Sequence, residues 1–267
     1  MSAVTDTERL LFHVDDYVAT ITLNYPEKLN AFNNEMLAAW RARLEECRDR
    51  DDVRVIVVTG AGRGFCSGGD TGGMGRSSKG SPREAKDNLQ QTVQPIALTL
   101  QTIDKPVIAA LNGVAAGAGL DMALHCDLRY AAASARFAET YTRVGLVPGN
   151  GAAWFLPRIV GVQRALEMLW TAEFVNAEQA KEIGLVLDVF PDETFMDDVM
   201  KIAKKIAHNA PISVRYIKRL VYQGQTMDLR THFDQVSSHM IVARTSEDHV
   251  EAIDAMREKR DPKFTGT

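Results

Sequence analysis

The sequence predicts an α/β fold with parallel strand pairing, followed by a helical C-terminal region. Strand-like and helix-like segments alternate through the first two-thirds of the 267-residue chain, and parallel strands require such helical crossovers. Two apolar strands run directly into glycine-rich loops, and the last third of the chain has helical spacing of its apolar residues. These three observations together define the predicted class.

The first elements are predicted to be a β-hairpin and a helix. Residues 10–14 and 18–24 are apolar or alternating, and Asp15–Tyr17 supplies the turn between them. After a loop, Asn33 or Asn34 can cap the helix that follows. Four apolar residues then recur at helical spacing: Met36, Leu37, Trp40 and Leu44.

The middle of the chain alternates between buried strands and helices. A stretch rich in Gly, Ser and Lys, residues 60–81, resists regular structure and is predicted to be a loop. The strands are predicted at residues 54–59, 105–111, 128–132 and 136–140, and the helices at residues 83–103 and 118–125.

Beyond about residue 150 the pattern becomes mostly helical. Apolar residues such as Ile212, Tyr216 and Leu220 recur at helical spacing, which suits packing within the chain or against another copy. One strand is predicted at residues 185–190, and helices are predicted near residues 162–170, 177–183, 192–208, 211–222, 226–245 and 247–259.

Composition limits the partners and the compartment that we expect. Lys and Arg total 31 against 35 for Asp and Glu, so the net charge of −4 gives no general attraction to nucleic acid or an anionic membrane. No apolar run approaches the roughly 20 residues of a membrane-spanning helix, and the start of the chain lacks the pattern of a signal peptide. The three cysteines have no chelating spacing. We expect a cytoplasmic protein without membrane or nucleic-acid partners.

Two glycine clusters are the chemically informative part of the sequence. GAGRGFCSGGD at residues 60–70 follows the strand VIVVT, and NGVAAGAGLD at residues 112–121 follows the strand VIAAL. Glycine permits positive φ values and lets a ligand approach a peptide N–H closely, as a main-chain oxyanion receptor requires. The second cluster opens a helix near Ala118, whose first N–H groups and dipole favour an anion. The clusters therefore predict two amides directed at one oxyanion.

Two other interpretations of these clusters stay open. Each cluster can be only a tight turn between a strand and the next element. Gly60, Gly62 and Gly64 after a strand can also form a dinucleotide-binding loop. A helix does not follow these glycines at once, and no acidic residue ends a second strand about 20 residues further on. Both facts disfavour the hypothesis of a dinucleotide-binding loop.

Four motifs occur in order along nearly the whole chain: ITLNYPEKLNAF at 21–32, GFCSGGD at 64–70, KPVIAALNGVAAGAGLDMALHCDLRYAAASARFAE at 105–139 and VGLVPGNGAAWFLPRIVG at 144–161. In this combination they resemble the crotonase superfamily, the enoyl-CoA hydratase and isomerase family. The resemblance implies a crotonase-like spiral of ββα units at residues 1–195, which carries an acyl-CoA site. It also implies a helical region at residues 196–267 that assembles homotrimers, often paired into hexamers.

The resemblance implies roles for residues of both glycine clusters. Gly69 and Ala118 would donate the two oxyanion N–H groups. Lys28 would lie near the nucleotide end of coenzyme A, although an ordinary solvated lysine explains it equally well. Four residues would contact the rest of the thioester and pantetheine arm: Ser67, Gly68, Asp70 and Gly117. The expected substrate is an acyl-CoA thioester, with no metal and no cofactor, since coenzyme A is part of the substrate.

Hydratases of this family resemble one another in two glutamates, whose positions map here to Asp121 and Tyr141. Asp121 is either the catalytic carboxylate or only a partner of its helix dipole. Tyr141 more readily donates a hydrogen bond than acts as a base, or it only lines the acyl pocket. Glu139 shares the face of Tyr141 if this stretch is extended, and it can then replace the missing carboxylate. His125, four residues after Asp121, is predicted to be a packed or surface histidine.

Hydration of a 2-enoyl-CoA is the leading expectation from this resemblance. Tyr141 at the second glutamate position keeps three other reactions open: double-bond isomerisation with Asp121 as the single base, thioester hydrolysis and decarboxylation. Residues 148–151, PGNG, lack the Asp that some isomerases and dehalogenases of the family carry there, which disfavours those two readings. A protein that binds coenzyme A esters without turnover, or an assembly module, is the non-enzymatic alternative.

Overall fold

Ten strands in the described part of the chain form two β-sheets. This computed structural model describes residues 9–70, 72 and 81–267. The strands are β1 (Leu10–Asp15), β2 (Val18–Leu23), β3 (Val55–Gly60), β4 (Gly64–Cys66), β5 (Val107–Leu111), β6 (Val114–Ala116), β7 (Leu128–Ala132), β8 (Arg136–Ala138), β9 (Val175–Asn176) and β10 (Asp188–Phe190). The larger sheet has the order β1-β2-β3-β5-β7-β10, and the smaller sheet has the order β4-β6-β8-β9. The predicted α/β class is confirmed.

Five of the α-helices in the described residues begin at a side-chain cap. Asn33 accepts a hydrogen bond from the Met36 N–H at the start of the first helix, as one of the two predicted caps. Asn176 and Gln179 form a reciprocal capping box at the start of the seventh. The α-helices are α1 (Asn34–Asp49), α2 (Pro82–Asn88), α3 (Pro95–Gln101), α4 (Ala118–Leu124), α5 (Ala152–Val160), α6 (Val162–Thr171), α7 (Ala177–Glu182), α8 (Phe195–Ala207), α9 (Pro211–Gly224), α10 (Leu229–Arg244) and α11 (Glu247–Glu258).

Successive pairs of strands divide between the two sheets. The first member of each pair, β3, β5 or β7, joins the larger sheet, and the second, β4, β6 or β8, joins the smaller one. Helices α2 and α3 follow the first pair, and α4 follows the second. This is the ββα repeat that the sequence resemblance implied.

The central strand β3 is buried along its whole length because both faces of the larger sheet are covered. Ile56 and Val58 pack into the cluster that contains α1, whereas Val55 and Val57 pack on the opposite side. Alternate residues of a strand point to opposite faces, so a parallel strand buried on both sides needs an apolar residue at nearly every position. That requirement explains the continuous apolar run VIVVT, from which the strand was predicted.

Helix α8 covers the second face of the larger sheet. Its four buried apolar residues are spaced by four, so they lie on one side of the helix. They pack in the same cluster as Val55 and Val57. The four are Phe195, Val199, Ala203 and Ala207. The boundary predicted between residues 195 and 196 falls at the first turn of this helix, and the division into two regions stays a prediction.

Two predicted elements differ from the structure. The helix predicted over 83–103 is interrupted by a π-helical turn at Leu89–Val93, directly before Pro95. Proline has no N–H for the helical ladder, so α3 begins anew at this residue. The strand predicted over 136–140 is also wrong beyond Ala138, because Thr140–Val144 forms a 3₁₀ helix.

Several elements were absent from the sequence prediction. Strands β4, β6 and β9 have two or three residues each, and α5 begins after the glycine-rich PGNG segment. Residues 71 and 73–80 of the predicted loop, and residues 1–8 of the chain start, lie outside the described residues. Within the described ranges, no helix is both long and apolar enough to cross a membrane.

Asn30 ties the PEKLNAF turn to the first glycine cluster. Its buried side chain accepts a hydrogen bond from the Tyr25 N–H at 2.7 Å and donates to the carbonyl oxygens of Ala61 at 2.9 Å and Gly64 at 2.7 Å. Its φ of 57° lies in the left-handed region, which asparagine tolerates better than most residues. One side chain therefore holds three backbone groups from two segments.

We expect Asn30→Ala to lower the free energy of unfolding by about 3 kcal/mol, because buried backbone groups lose their partners. Urea unfolding followed by circular dichroism measures this change. The matched control is Asn34→Ala: Asn34 is exposed and its side chain makes a 3.4 Å contact with Asn88, so we expect a change within about 0.5 kcal/mol. Equal effects of the two substitutions would contradict the role given to Asn30.

Candidate active site

The two glycine clusters meet because β4 and β6 pair in parallel. Gly64 lies opposite Val114, and Cys66 lies opposite Ala115. The carboxyl ends of parallel strands emerge at the same edge of a sheet. Residues 67–70, which follow β4, are therefore brought beside residues 117–118, which follow β6 and open α4.

Glycine is required where the two segments touch. A Cβ atom on Gly119 would lie 2.2 Å from the carbonyl oxygen of Cys66, so no other residue fits there without movement. A Cβ atom on Gly68 would lie 3.1 Å from the carbonyl oxygen of Ala116 and 3.5 Å from the amide nitrogen of Ala118. Gly68 also has a φ of 100°, a value that L-residues rarely adopt.

The backbone geometry leaves the amide groups of Gly69 and Ala118 unpaired. Phe32 donates its N–H to the Gly68 carbonyl and accepts from the Asp70 N–H, both at 2.9 Å, so the N–H of Gly69 points to the other side of the chain. Ala118 is the first residue of α4, whose first N–H groups have no partner within the helix. Among the described residues, neither amide has a hydrogen-bond acceptor. Both residues are partly exposed.

Asp121 lies one turn into α4 and is fully buried. Its Oδ2 accepts a hydrogen bond from the Tyr141 hydroxyl at 2.8 Å and is 3.4 Å from the Ala152 N–H. Its Oδ1 has no partner among the described residues. Burial raises the pKa of Asp121 to about 6, and the donors from Tyr141 and Ala152 oppose this rise.

Glu139 is a second buried carboxyl group beside Asp121. No N–H or hydroxyl group of the described residues donates to its side-chain oxygens, and its carboxyl group is within hydrogen-bonding reach of the Asp121 carboxyl group. Burial, followed by the nearby charge of Asp121, raises the pKa of Glu139 well above its usual range. Two carboxyl groups that are buried side by side do not readily ionise together, so this pair keeps a proton to a higher pH than two separate exposed carboxyl groups would.

The route by which Glu139 and Tyr141 reach Asp121 differs from the prediction. They do not share one face of an extended strand, because β8 ends at Ala138 and Tyr141 lies in the 3₁₀ helix that follows. The chain turns at Glu139, which has φ −93° and ψ 87°. This turn directs both side chains towards α4. Burial and the Asp121 carboxylate raise the pKa of Tyr141, so its hydroxyl keeps its proton and acts as a donor.

Lys28 and Asp70 connect the first motif to the first glycine loop. Lys28 Nζ lies 2.7 Å from Asp70 Oδ2, and the Ser67 hydroxyl donates to the Lys28 carbonyl at 3.0 Å. The hydrogen bond from Lys28 lowers the pKa of Asp70. Lys28 is thus ion-paired as well as half exposed. The substrate contacts predicted for Lys28, Ser67 and Asp70 stay predictions.

Sequence reasoning missed the loop that closes the site from the other side. His125 is buried, and its Nε2 is 2.7 Å from the carbonyl oxygen of Asn150, two residues before Ala152. The prediction left open whether His125 is packed or at the surface, and the structure shows it packed; nothing in its sequence position indicated this partner. The contact joins two segments that are 25 residues apart, so it is seen only in the three-dimensional structure.

The arrangement places two kinds of chemical group near the start of α4. The unpaired amides of Gly69 and Ala118 can stabilise negative charge on a carbonyl oxygen. The pair of Asp121 and Glu139 can accept and donate protons nearby. No group of three His, Cys, Asp or Glu side chains suited to a metal ion occurs in the residues that the structure describes.

The chain matches one family model and is similar to several known proteins and solved structures. Residues 14–267 match the family model described as Enoyl-CoA hydratase/isomerase. The chain is 37% identical to 1,2-epoxyphenylacetyl-CoA isomerase of Escherichia coli K12, covering 97% of this chain and 99% of that protein. It is 38% identical to (E)-benzylidenesuccinyl-CoA hydratase of Thauera aromatica, covering 95% and 97%. The crystal structure of a putative enoyl-CoA hydratase from Streptomyces coelicolor A3(2) superimposes with a TM-score of 0.91 at 35% identity, covering 100% of this chain and 98% of that one.

We expect Asp121→Asn to stabilise the folded protein at pH 8. The pKa of Asp121 rises from about 3.8 when unfolded to about 6 when folded, so stability falls as the pH rises through this interval. Asparagine carries no charge, and its amide can donate to Glu139. The gain in unfolding free energy should reach up to about 3 kcal/mol at pH 8 and vanish near pH 4.

Urea unfolding at pH 4, 6 and 8 tests this expectation. The control is Asp87→Asn, since Asp87 is a surface residue 3.8 Å from Arg83 and its replacement should change stability little at any of these values. A gain at pH 8 no larger than at pH 4 would show that Asp121 is not ionised at a cost in the folded state.

Proposed function

Because the chain belongs to the enoyl-CoA hydratase/isomerase family of the crotonase superfamily, we propose that it adds water across the double bond of a 2-enoyl-CoA thioester. The observation that carries this proposal is the pair of adjacent buried carboxyl groups of Asp121 and Glu139. Asp121 stands one helical turn from the free amide of Ala118. Hydration needs such a base and such an acid at neighbouring carbons.

The first step concerns the thioester carbonyl. Its oxygen accepts hydrogen bonds from the amides of Gly69 and Ala118, which have no other acceptor in the described chain. When water adds to the β-carbon, electrons shift onto this oxygen and an enolate forms. Each amide then faces a full negative charge, and the loss of one such donor typically costs about 3 kcal/mol of transition-state stabilisation.

Protons move between water, the two carboxyl groups and the substrate. Tyr141 and Ala152 occupy Oδ2 of Asp121, which leaves Oδ1 free to take a proton from the attacking water. The hydroxide oxygen bonds to the β-carbon, and Glu139 gives its proton to the α-carbon. The proton on Asp121 then passes to Glu139, which restores the starting state with one water added to the substrate.

Isomerisation of the double bond is the second candidate, and one observation favours it. Tyr141, rather than a carboxylate, stands at the second glutamate position and donates to Asp121. A single carboxylate with one free oxygen suffices to remove a proton from one carbon of an enoyl thioester and return it to another. In this reaction Glu139 would remain protonated and transfer nothing.

We further propose that the substrate is an acyl-CoA held along Lys28, Ser67, Gly68, Asp70 and Gly117, without a separate cofactor. The assembly is proposed to be a homotrimer or hexamer. Large apolar side chains of the C-terminal helices support this, because they are half exposed or more in the single chain: Ile217, Val221, Leu229, Phe233 and Met240.

Replacing each carboxyl group separately distinguishes the two reactions. For hydration, Asp121→Asn and Glu139→Gln should each lower kcat about a hundredfold or more, since each removes a proton-transfer group. For isomerisation, only Asp121→Asn should do so. A panel of 2-enoyl and 3-enoyl thioesters is assayed by absorbance of the conjugated thioester, by release of free thiol and by product mass.

The product mass separates the outcomes, because hydration adds one water and isomerisation adds nothing. Release of free thiol would indicate hydrolysis. The control is Glu45→Gln, a surface residue paired with Arg41, which should leave turnover unchanged. If both active-site variants turn over at the wild-type rate, the proposed roles of these carboxyl groups are wrong.

Substitution at Gly68 tests the proposed oxyanion site. Gly68→Ala places a Cβ atom against Ala116 and Ala118, and it should therefore displace an amide donor and lower kcat at least about tenfold. Gly145→Ala is the matched control, since Gly145 also has a positive φ, 69°, but a Cβ atom there would meet nothing within 4 Å. Steady-state kinetics that show equal losses for both variants would attribute the effect to backbone strain alone.

A further inference from the structure

His125 makes a hydrogen bond whose direction defines its protonation. A carbonyl oxygen can only accept, so the 2.7 Å contact with Asn150 requires the proton to be on Nε2. Nδ1 is buried and has no partner among the described residues. The ring also packs against Phe155, with 4.9 Å between ring centroids. Burial lowers the pKa of His125 to about 4, so the side chain is a neutral donor throughout the physiological range.

The turn at residues 150–152 is held by α4 at two points. His125 donates to the Asn150 carbonyl, and Ala152 donates its N–H towards Asp121 Oδ2 at 3.4 Å. His125 follows Asp121 by four residues, so both side chains project from one face of the helix. Gly151 lies between the two contacts with a φ of 109°. His125 donates to the turn and the turn donates to Asp121, so the two contacts together hold the turn against the helix.

The turn makes further polar contacts, and the backbone of Asn150 also lowers the pKa of Asp121. The Asn150 side chain donates to the Met122 sulfur, and its Oδ1 has no partner within the described ranges. Gln94 donates to the Gly149 carbonyl at 3.0 Å, before the turn. His125 therefore supplies the short hydrogen bond that is nearest to the Ala152 amide.

We propose that His125 is a positioning residue, which holds the 150–152 turn so that the backbone amide of Ala152 faces Asp121. Its effect on the reaction rests on the proposed function of Asp121 as the base. An N–H that donates to a carboxylate stabilises the charged form. The backbone amides of the turn thus lower the pKa of Asp121 and make it a weaker base than burial alone would. His125 keeps these amides in place without contacting the substrate.

The groups that face Asp121 are few. Glu139 approaches it from the turn after β8, Tyr141 from the 3₁₀ helix that follows, and the 150–152 turn from the start of α5. His125 itself is neutral, so it does not act on Asp121 through charge. Loss of the His125 donor should consequently act through the backbone groups of the turn that lower the pKa of Asp121, those of Ala152 and Asn150.

Two replacements of His125 test the proposal. His125→Leu puts an apolar side chain in the place of the imidazole and removes the donor, so the turn should loosen and the pKa of Asp121 should rise by about half a unit or more. His125→Gln can place an amide donor near the position of Nε2 and should keep the wild-type value. The pKa is read from carbon-13 NMR of labelled aspartate carboxyl groups, with the Asp121 signal assigned by its absence in Asp121→Asn. If the leucine variant does not fold, His125→Met replaces it.

The control variant is Cys126→Ala, which removes a buried thiol whose hydrogen bond goes to the Met122 carbonyl and should leave the pKa of Asp121 unchanged. A rise in the leucine variant with rescue in the glutamine variant supports the proposal. An unchanged pKa in the leucine variant, or equal rises in both variants, overturns it.

The acid limb of kcat/KM, measured on the same variants, separates this inference from the proposed function. If the limb shifts upwards together with the NMR pKa, both stand. If the NMR pKa shifts and the limb does not, His125 positions the turn as proposed but Asp121 is not the base. The NMR readout requires no turnover, so it decides the role of His125 in either case.

Discussion

The site depends on the parallel pairing of two three-residue strands, β4 and β6. This short ladder is the only sheet contact between the segments that carry Gly69 and Ala118 in the described residues. It works because the backbones approach more closely than a side chain would permit: Cβ atoms on Gly113 and Gly119 would lie 2.3 Å and 2.2 Å from carbonyl oxygens of the β4 segment. The glycines here allow the two main chains to pack closely. This packing places the partly exposed amides of Gly69 and Ala118 on neighbouring segments.

The carboxyl groups next to this ladder are held at a cost to the fold. Two carboxyl groups that are buried beside each other are destabilising, because they lose their hydration and few donors replace the lost water. Tyr141 and the start of α5 offset part of the cost by donating to Asp121. Sites that need reactive groups commonly give up stability in this way, and the doubly covered larger sheet supplies the compensating apolar burial.

Sequence reasoning predicted the parts of this protein that are long and locally determined. Strands β3 and β5 are continuous apolar runs, and α1 and α4 begin at recognisable signals, so their positions follow from local patterns. Strands β4 and β6 are too short to show alternation, and α5 follows a glycine-rich segment that resembles a loop. The contact between His125 and Asn150, and the turn at Glu139 that brings two side chains to Asp121, depend on distant segments. No local pattern encodes them, although the family resemblance directed attention to Asp121 and Tyr141.

The pairing of Gly64 with Val114 is expected to form late in folding. The two strands are far apart along the chain, and closing the intervening segment costs entropy before the short ladder returns any stabilisation. The ladder can therefore form only on a sheet that already exists, with β3 and β5 side by side. In a partly folded chain the amides of Gly69 and Ala118 would not yet lie side by side. We therefore expect chains that are still folding to be catalytically inactive.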